Sequence, residues 1–137
     1  MLPMSKKVLI VEDDRLIGDL YRQRLARAGY QTEVATSGGN AWERLAQFRP
    51  DALLVDLMLP QMNGIALIKK IRAAAEFKHL PIIVATNAFM GEMLKDAIEA
   101  GATKVFNKST LSPPVLLQVL REFFPAENEE KGTVPAN

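Results

Sequence analysis

Three short runs in this chain are apolar at every position: Val8-Leu9-Ile10-Val11, Ala52-Leu53-Leu54-Val55 and Ile82-Ile83-Val84-Ala85. A strand with one face in water alternates apolar and polar residues, so an unbroken run points to burial on both faces. A parallel sheet covered by helices on each side provides that setting. Thr32 to Ala35 and Lys104 to Phe106 are weaker candidates for flanking strands.

The segments between these runs carry helical spacing. Ile17, Leu20, Tyr21, Leu25 and Ala28 mark a first helix that Gly29 can terminate, and Ala41, Trp42, Leu45 and Phe48 mark a second, ended by Pro50. Leu67, Ile68 and Ile71 mark a third. Met90, Met93, Leu94, Ile98 and Ala100 mark a fourth, stopped by Gly101. The last contains Val115, Leu116, Val119, Leu120 and Phe123, with Ser112 as N-cap and Pro113 at the first helical position. Five strands alternating with five helices predict a doubly wound α/β domain, because parallel neighbours need crossovers and the helices must cover both faces.

At 137 residues there is room for one such domain. The expected division is an N-terminal extension at 1–6, the domain at 7–124 and a flexible tail at 125–137, where prolines and charges replace aromatic residues. No apolar run approaches the roughly 18 to 20 residues of a membrane span. Acids follow the first apolar run too closely for a secretory signal, so the protein is expected in the cytoplasm. The absence of cysteine excludes disulfides and thiolate metal sites, and a net charge of +1 gives no footprint for nucleic acid or an anionic membrane.

The acids are the unusual feature. Glu12, Asp13 and Asp14 follow the first run directly, Asp56 follows the Ala52 to Val55 run, Thr86 ends the next, and Lys108 lies just past the last strand. In a doubly wound sheet all of these positions fall at the carboxyl edge, where such folds bind ligands. A single acid after a strand is ordinarily a helix cap, the role expected of Asp14. Carboxylates crowded at one edge repel each other unless cations balance them, and an all-oxygen ligand set suits Mg²⁺.

These residues resemble the receiver domain of two-component response regulators, of the single-domain kind similar to chemotaxis regulators. The resemblance runs from about Lys7 to Phe123 through separated motifs: Val11 to Asp14, Asp51 to Gly64, Pro81 to Thr86 and Gly101 to Lys108. It implies a flavodoxin-like (βα)5 fold with a five-stranded parallel sheet in the order 2-1-3-4-5. It also implies that Asp56 is the phosphoacceptor, that Glu12, Asp13, Asp56 and the Met58 carbonyl hold Mg²⁺, and that Lys108 and Thr86 contact the phosphoryl group. Pro60 and Gly64 would shape the loop after Asp56. The implied partners are a sensor histidine kinase or histidine phosphotransfer protein, and an output protein at the face of the fourth helix, fifth strand and fifth helix.

Three positions depart from the family pattern. Asn87 stands where a small residue usually follows the Thr, and Val105 stands where an aromatic switch is common. Phe106, one place later, points to the other face of its strand. Ser109 stands where Pro usually follows the Lys and forms a cis peptide.

Two rival functions share some of these residues. A haloacid-dehalogenase-type phosphohydrolase also uses an Asp nucleophile but places a general acid two residues on, and Met58 there cannot transfer a proton. A degenerate receiver acting as a constitutive interaction module fits Asn87 and Val105 but not the retention of Glu12, Asp13, Asp56, Thr86 and Lys108. The lone His79 reads as a surface residue, Trp42 as a half-buried helix residue, Met58, Met62, Met90 and Met93 as packing, and Ser37-Gly38-Gly39 as too short for a phosphate loop.

Overall fold

The computed structural model describes residues 5–60, 62–87 and 91–125. Met90 and most of the expected terminal segments lie outside that set. Five parallel strands, β1 (Lys7–Val11), β2 (Gln31–Ala35), β3 (Ala52–Val55), β4 (Ile82–Thr86) and β5 (Lys104–Asn107), form one sheet in the order 2-1-3-4-5. Helices α1 (Arg15–Arg27), α2 (Gly38–Phe48), α3 (Gly64–Ala73), α4 (Gly91–Ala100) and α5 (Pro113–Phe123) provide the crossovers. The flavodoxin-like topology is therefore the observed one.

Strand alternation sorts the apolar runs onto two cores. Leu9, Val11, Leu53, Val55, Ile82 and Val84 pack with α2, α3 and α4 residues such as Leu45, Leu67, Ile71 and Ala97. Val8, Ile10, Leu54, Ile83 and Ala85 pack with Tyr21 and Leu25 of α1 and Leu116 and Leu120 of α5. Val105 lies against the first core and Phe106 against the second, the opposite facing expected from their one-residue offset. β5 begins as expected and extends one residue further, to Asn107.

Helix ends follow their local chemistry. Asp14 caps α1 by accepting from the Leu16 and Ile17 N–H groups, and Ser112 caps α5 by accepting from Val115 N–H, with prolines in its first turn. Gly29 and Gly101 follow α1 and α4 with φ of 102° and 123°, a region that glycine enters without a Cβ penalty. Arg49 ends α2 in the left-handed region with φ of 53°. It is the one such non-glycine residue among those described, and Pro50 behind it disfavours continuing the helix.

Arg72 at the end of α3 joins three segments. Its guanidinium donates twice to the Gly101 carbonyl, at 3.0 and 2.8 Å, and to the carbonyls of Phe77 and Lys78 at 3.0 and 3.2 Å. The planar fork of arginine suits this divergent set of acceptors, which a lysine could not span. His79 is exposed and Trp42 is half-buried, with the Lys70 ammonium 4.6 Å from its ring centroid.

Candidate functional site

The carboxyl edge of the sheet gathers the acids through strand register. Val11 pairs with Val55, so Glu12 and Asp56 each stand one residue beyond that pair, and Asp56 N–H donates to the Val11 carbonyl at 3.1 Å. Val55 pairs with Val84, which sets Thr86 two residues further along β4, and Thr86 pairs with Asn107, one residue before Lys108. The alternation of parallel strands with crossovers brings residues from positions 12 to 108 to one rim.

Burial there is deep for charged groups. Glu12 is 3% exposed, Asp56 6% and Thr86 fully buried, whereas Asp13 is exposed. The Lys108 ammonium donates to Glu12 Oε1 at 2.7 Å and to Asp56 Oδ2 at 2.8 Å. The remaining oxygens are also held: Asp14 N–H donates to Glu12 Oε2 at 3.1 Å, and Met58 N–H donates to Asp56 Oδ1 at 3.1 Å. Asp56 therefore has one oxygen fixed by a cation and the other by a backbone amide, so its carboxylate plane is set before any ligand arrives.

Glu12, Asp13 and Asp56 each offer an oxygen within 4.8 Å of the others, a cluster that could hold a metal ion. One ammonium does not offset the whole cluster. Burial pushes the Glu12 carboxyl above its ordinary range, against the lowering effect of the Lys108 and Asp14 hydrogen bonds. Burial also works against the Lys108 ammonium, but its hydrogen bonds to Asp56 and Glu12 outweigh that and hold it above its ordinary value. Tyr21 lies close enough to feel these charges, although burial is the main reason its phenol is pushed up.

The Glu12 shift gives a sign for pH dependence. A raised carboxyl pKa contributes stability that is fully present below its ordinary 4.5 and is lost as pH rises through the raised value. In chelator-treated protein, the stability of the wild type relative to Glu12→Gln is expected to fall as pH climbs from 4.5 toward neutrality, because Gln carries no proton to lose. Urea denaturation at several pH values measures this, and a pH-independent difference would contradict it.

Two backbone approaches shape the site. A Cβ on Gly64 would lie 2.6 Å from Leu57 Cα and 2.7 Å from the Asp56 carbonyl oxygen, so α3 starts directly against the strand end that carries Asp56. Gly64 does not adopt a left-handed φ. Its contribution is thus close approach rather than the turn geometry expected of it. A Cβ on Gly38 would lie 2.8 Å from the Met62 carbonyl and Cβ, which sets α2 against the loop after β3. Met58 is 56% exposed and Asn87 is exposed beside the buried Thr86. Among the described residues no peptide bond is cis, so Lys108 and Ser109 are joined in the trans form.

The sequence profile of the response regulator receiver domain matches residues 8–121. The chain belongs to the response regulator receiver family. The polar-differentiation response regulator DivK of Brucella ovis is 29% identical over 120 residues, covering 88% of this chain and 97% of that relative. The chemotaxis response regulator CheY4 of Vibrio cholerae superposes with a TM-score of 0.80 at 29% identity, covering 87% of this chain and 98% of CheY4. The receiver domain of a sensor histidine kinase from Pseudomonas aeruginosa superposes with a TM-score of 0.79 at 26% identity, covering 89% and 99%, and its structure holds a magnesium ion in the active site cleft. Receivers are signalling switches of two-component systems rather than metabolic enzymes, and the acidic pocket of Glu12, Asp13 and Asp56 fits the phosphorylation site of such a switch. Among the described residues no helix is long and apolar enough to cross a membrane.

Two participants were not singled out by the sequence. Tyr21 reads there only as a helix core residue, yet its hydroxyl donates at 2.8 Å to the carbonyl of Leu111, three residues past Lys108. Asn107 belongs to no motif of its own, and its side chain caps the turn that begins at Lys108. Asn107 is of a residue type that commonly caps turns, whereas the Tyr21 bond ends on a backbone carbonyl far along the chain, which no residue type marks.

Proposed function

We propose that the chain is a phosphorylation-activated switch that accepts a phosphoryl group on Asp56 from a sensor histidine kinase or a histidine phosphotransfer protein. The observation that carries this reading is the half-buried Lys108 ammonium bridging the buried Asp56 and Glu12, with Asp13 beside them at the sheet rim. An Asp56 oxygen attacks phosphorus as the P–N bond to the donor histidine breaks. The imidazole leaves with the electron pair of that bond and a proton on its other nitrogen, and the acyl phosphate remains on Asp56.

The ligand set fits Mg²⁺: three clustered carboxylates, all oxygen donors, in a pocket whose Glu12 is under-compensated. Glu12, Asp13, Asp56 and the Met58 carbonyl would hold the ion, which supplies positive charge against the phosphoryl oxygens. The protein's own groups do the rest. Lys108 neutralises negative charge at Asp56 and the incoming group, and the Met58 N–H fixes the carboxylate plane. Thr86 donates its hydroxyl to a phosphoryl oxygen, and its reorientation biases the face of α4, β5 and α5 toward an output protein. With Val105 packed against the first core in place of an aromatic residue, that coupling runs without an aromatic rotamer change.

Incubation with acetyl phosphate and Mg²⁺ is expected to add one phosphoryl group that is labile to hydroxylamine, and chelator is expected to prevent it. No mass gain under these conditions, nor with a competent histidine donor, would overturn the proposal and favour a constitutive interaction module. Thr86→Ala is expected to retain phosphorylation while the accompanying amide chemical-shift changes in α4, β5 and α5 fall by more than about half. Full-size changes would remove Thr86 from the switch.

A further inference from the structure

We propose that Asn107 and Tyr21 are positioning residues for Lys108, bracing from both ends the single turn that carries it. The inference rests on the reading of Asp56 as phosphoacceptor, because that reading gives Lys108 its task.

Lysine carries its charge on a flexible four-carbon stem, so reaching Glu12 and Asp56 together requires a fixed backbone at its root. That root is a three-residue 3-10 turn, Lys108–Thr110, too short to hold itself in water. At its start, Asn107 Oδ1 accepts from Ser109 N–H at 2.9 Å and from the Ser109 hydroxyl at 2.7 Å. Thr110 Oγ1 donates back to the Asn107 carbonyl at 2.9 Å. At its end, the buried Tyr21 hydroxyl donates to the carbonyl of the buried Leu111, whose own N–H donates to the Lys108 carbonyl at 3.3 Å.

The departure at Ser109 belongs to the same device. A proline there would have no N–H to give Asn107, so the cap at 107 and the serine at 109 work as a pair. The far brace comes from a different element, α1, which also follows directly on Glu12 and Asp13. Tyr21 thus ties the lysine-bearing turn to the helix that begins at the acidic cluster.

Asn107→Ala and Tyr21→Phe are each expected to slow phosphoryl uptake from acetyl phosphate with Mg²⁺ by about tenfold, as small misplacements of a reacting-site group do. Asn107→Ser, neutral and still able to cap, is expected to restore the rate to within about twofold of wild type. Uptake by both damaging variants at the wild-type rate, or failure of Asn107→Ser to rescue, would overturn the assignment. Crystal structures of Asn107→Ala and Tyr21→Phe give a readout independent of phosphorylation. Displacement of the Lys108 ammonium from Asp56 and Glu12 is expected, and retention of both contacts would overturn the brace. If the wild-type chain takes up no phosphate, the phosphoacceptor reading fails by itself and the crystallographic comparison alone decides this inference.

Discussion

Asp56→Asn is expected to take up no phosphate from acetyl phosphate or from a phosphorylated histidine donor, with Mg²⁺ present and the fold intact. The amide nearly matches the carboxylate in shape, so the change isolates chemistry from packing. Its oxygen is a poor nucleophile and its nitrogen lone pair is delocalised, so neither atom can form the acyl phosphate. The pocket also loses coherence. Asp56 uses separate oxygens for the Met58 N–H and the Lys108 ammonium, and an amide offers only one acceptor atom for the two donors. Mass spectrometry of the intact protein reads the outcome directly. Incorporation at the wild-type level, or phosphate mapped to Asp13 or Glu12, would show that another carboxylate is the acceptor.

Gly64→Ala is expected to destabilise the fold by about 3 kcal/mol, lowering the thermal midpoint by roughly 10 °C. The added methyl would sit 2.6 Å from Leu57 Cα and 2.7 Å from the Asp56 carbonyl oxygen. Both are backbone atoms of the segment leaving β3, and neither can move without shifting Asp56. The Gly64 N–H also donates to the Leu57 carbonyl at 2.9 Å, so the start of α3 cannot simply back away. Gly39→Ala is the internal control. It lies exposed in α2, where an added Cβ would meet nothing within 4 Å, and there alanine is expected to add about 0.5 to 1 kcal/mol through helix propensity. Chemical denaturation of both variants tests the contrast, and equal effects would mean that close approach at Gly64 carries no weight. Because the loop after Asp56 must deform to accept the methyl, phosphoryl uptake by folded Gly64→Ala is expected to fall as well.

The fold is legible in the sequence because its determinants are periodic. The unbroken apolar runs of β1, β3 and β4 announce burial on both faces, and the N-caps Asp14 and Ser112 and the glycines Gly29 and Gly101 announce the helix limits. The acids of the site are legible for a related reason: position at a strand end is set by sequence once the strands are known. Strand order is a different matter. Nothing in the runs says that β1 lies between β2 and β3, and that order rests on resemblance until the register pairs display it.

The amino-acid sequence by itself determined which residues would reach the sheet's rim, since alternation of strand and helix assigns every strand end to the same edge. Only the tertiary structure decided how those residues meet. The choice of Glu12 as a second partner for Lys108, the hold of Tyr21 on its turn, and the lack of room at Gly64 all depend on distances that no residue pattern encodes. The Tyr21 bond ends on a backbone carbonyl, a group that every residue carries, so nothing in the sequence marks Leu111 as its acceptor.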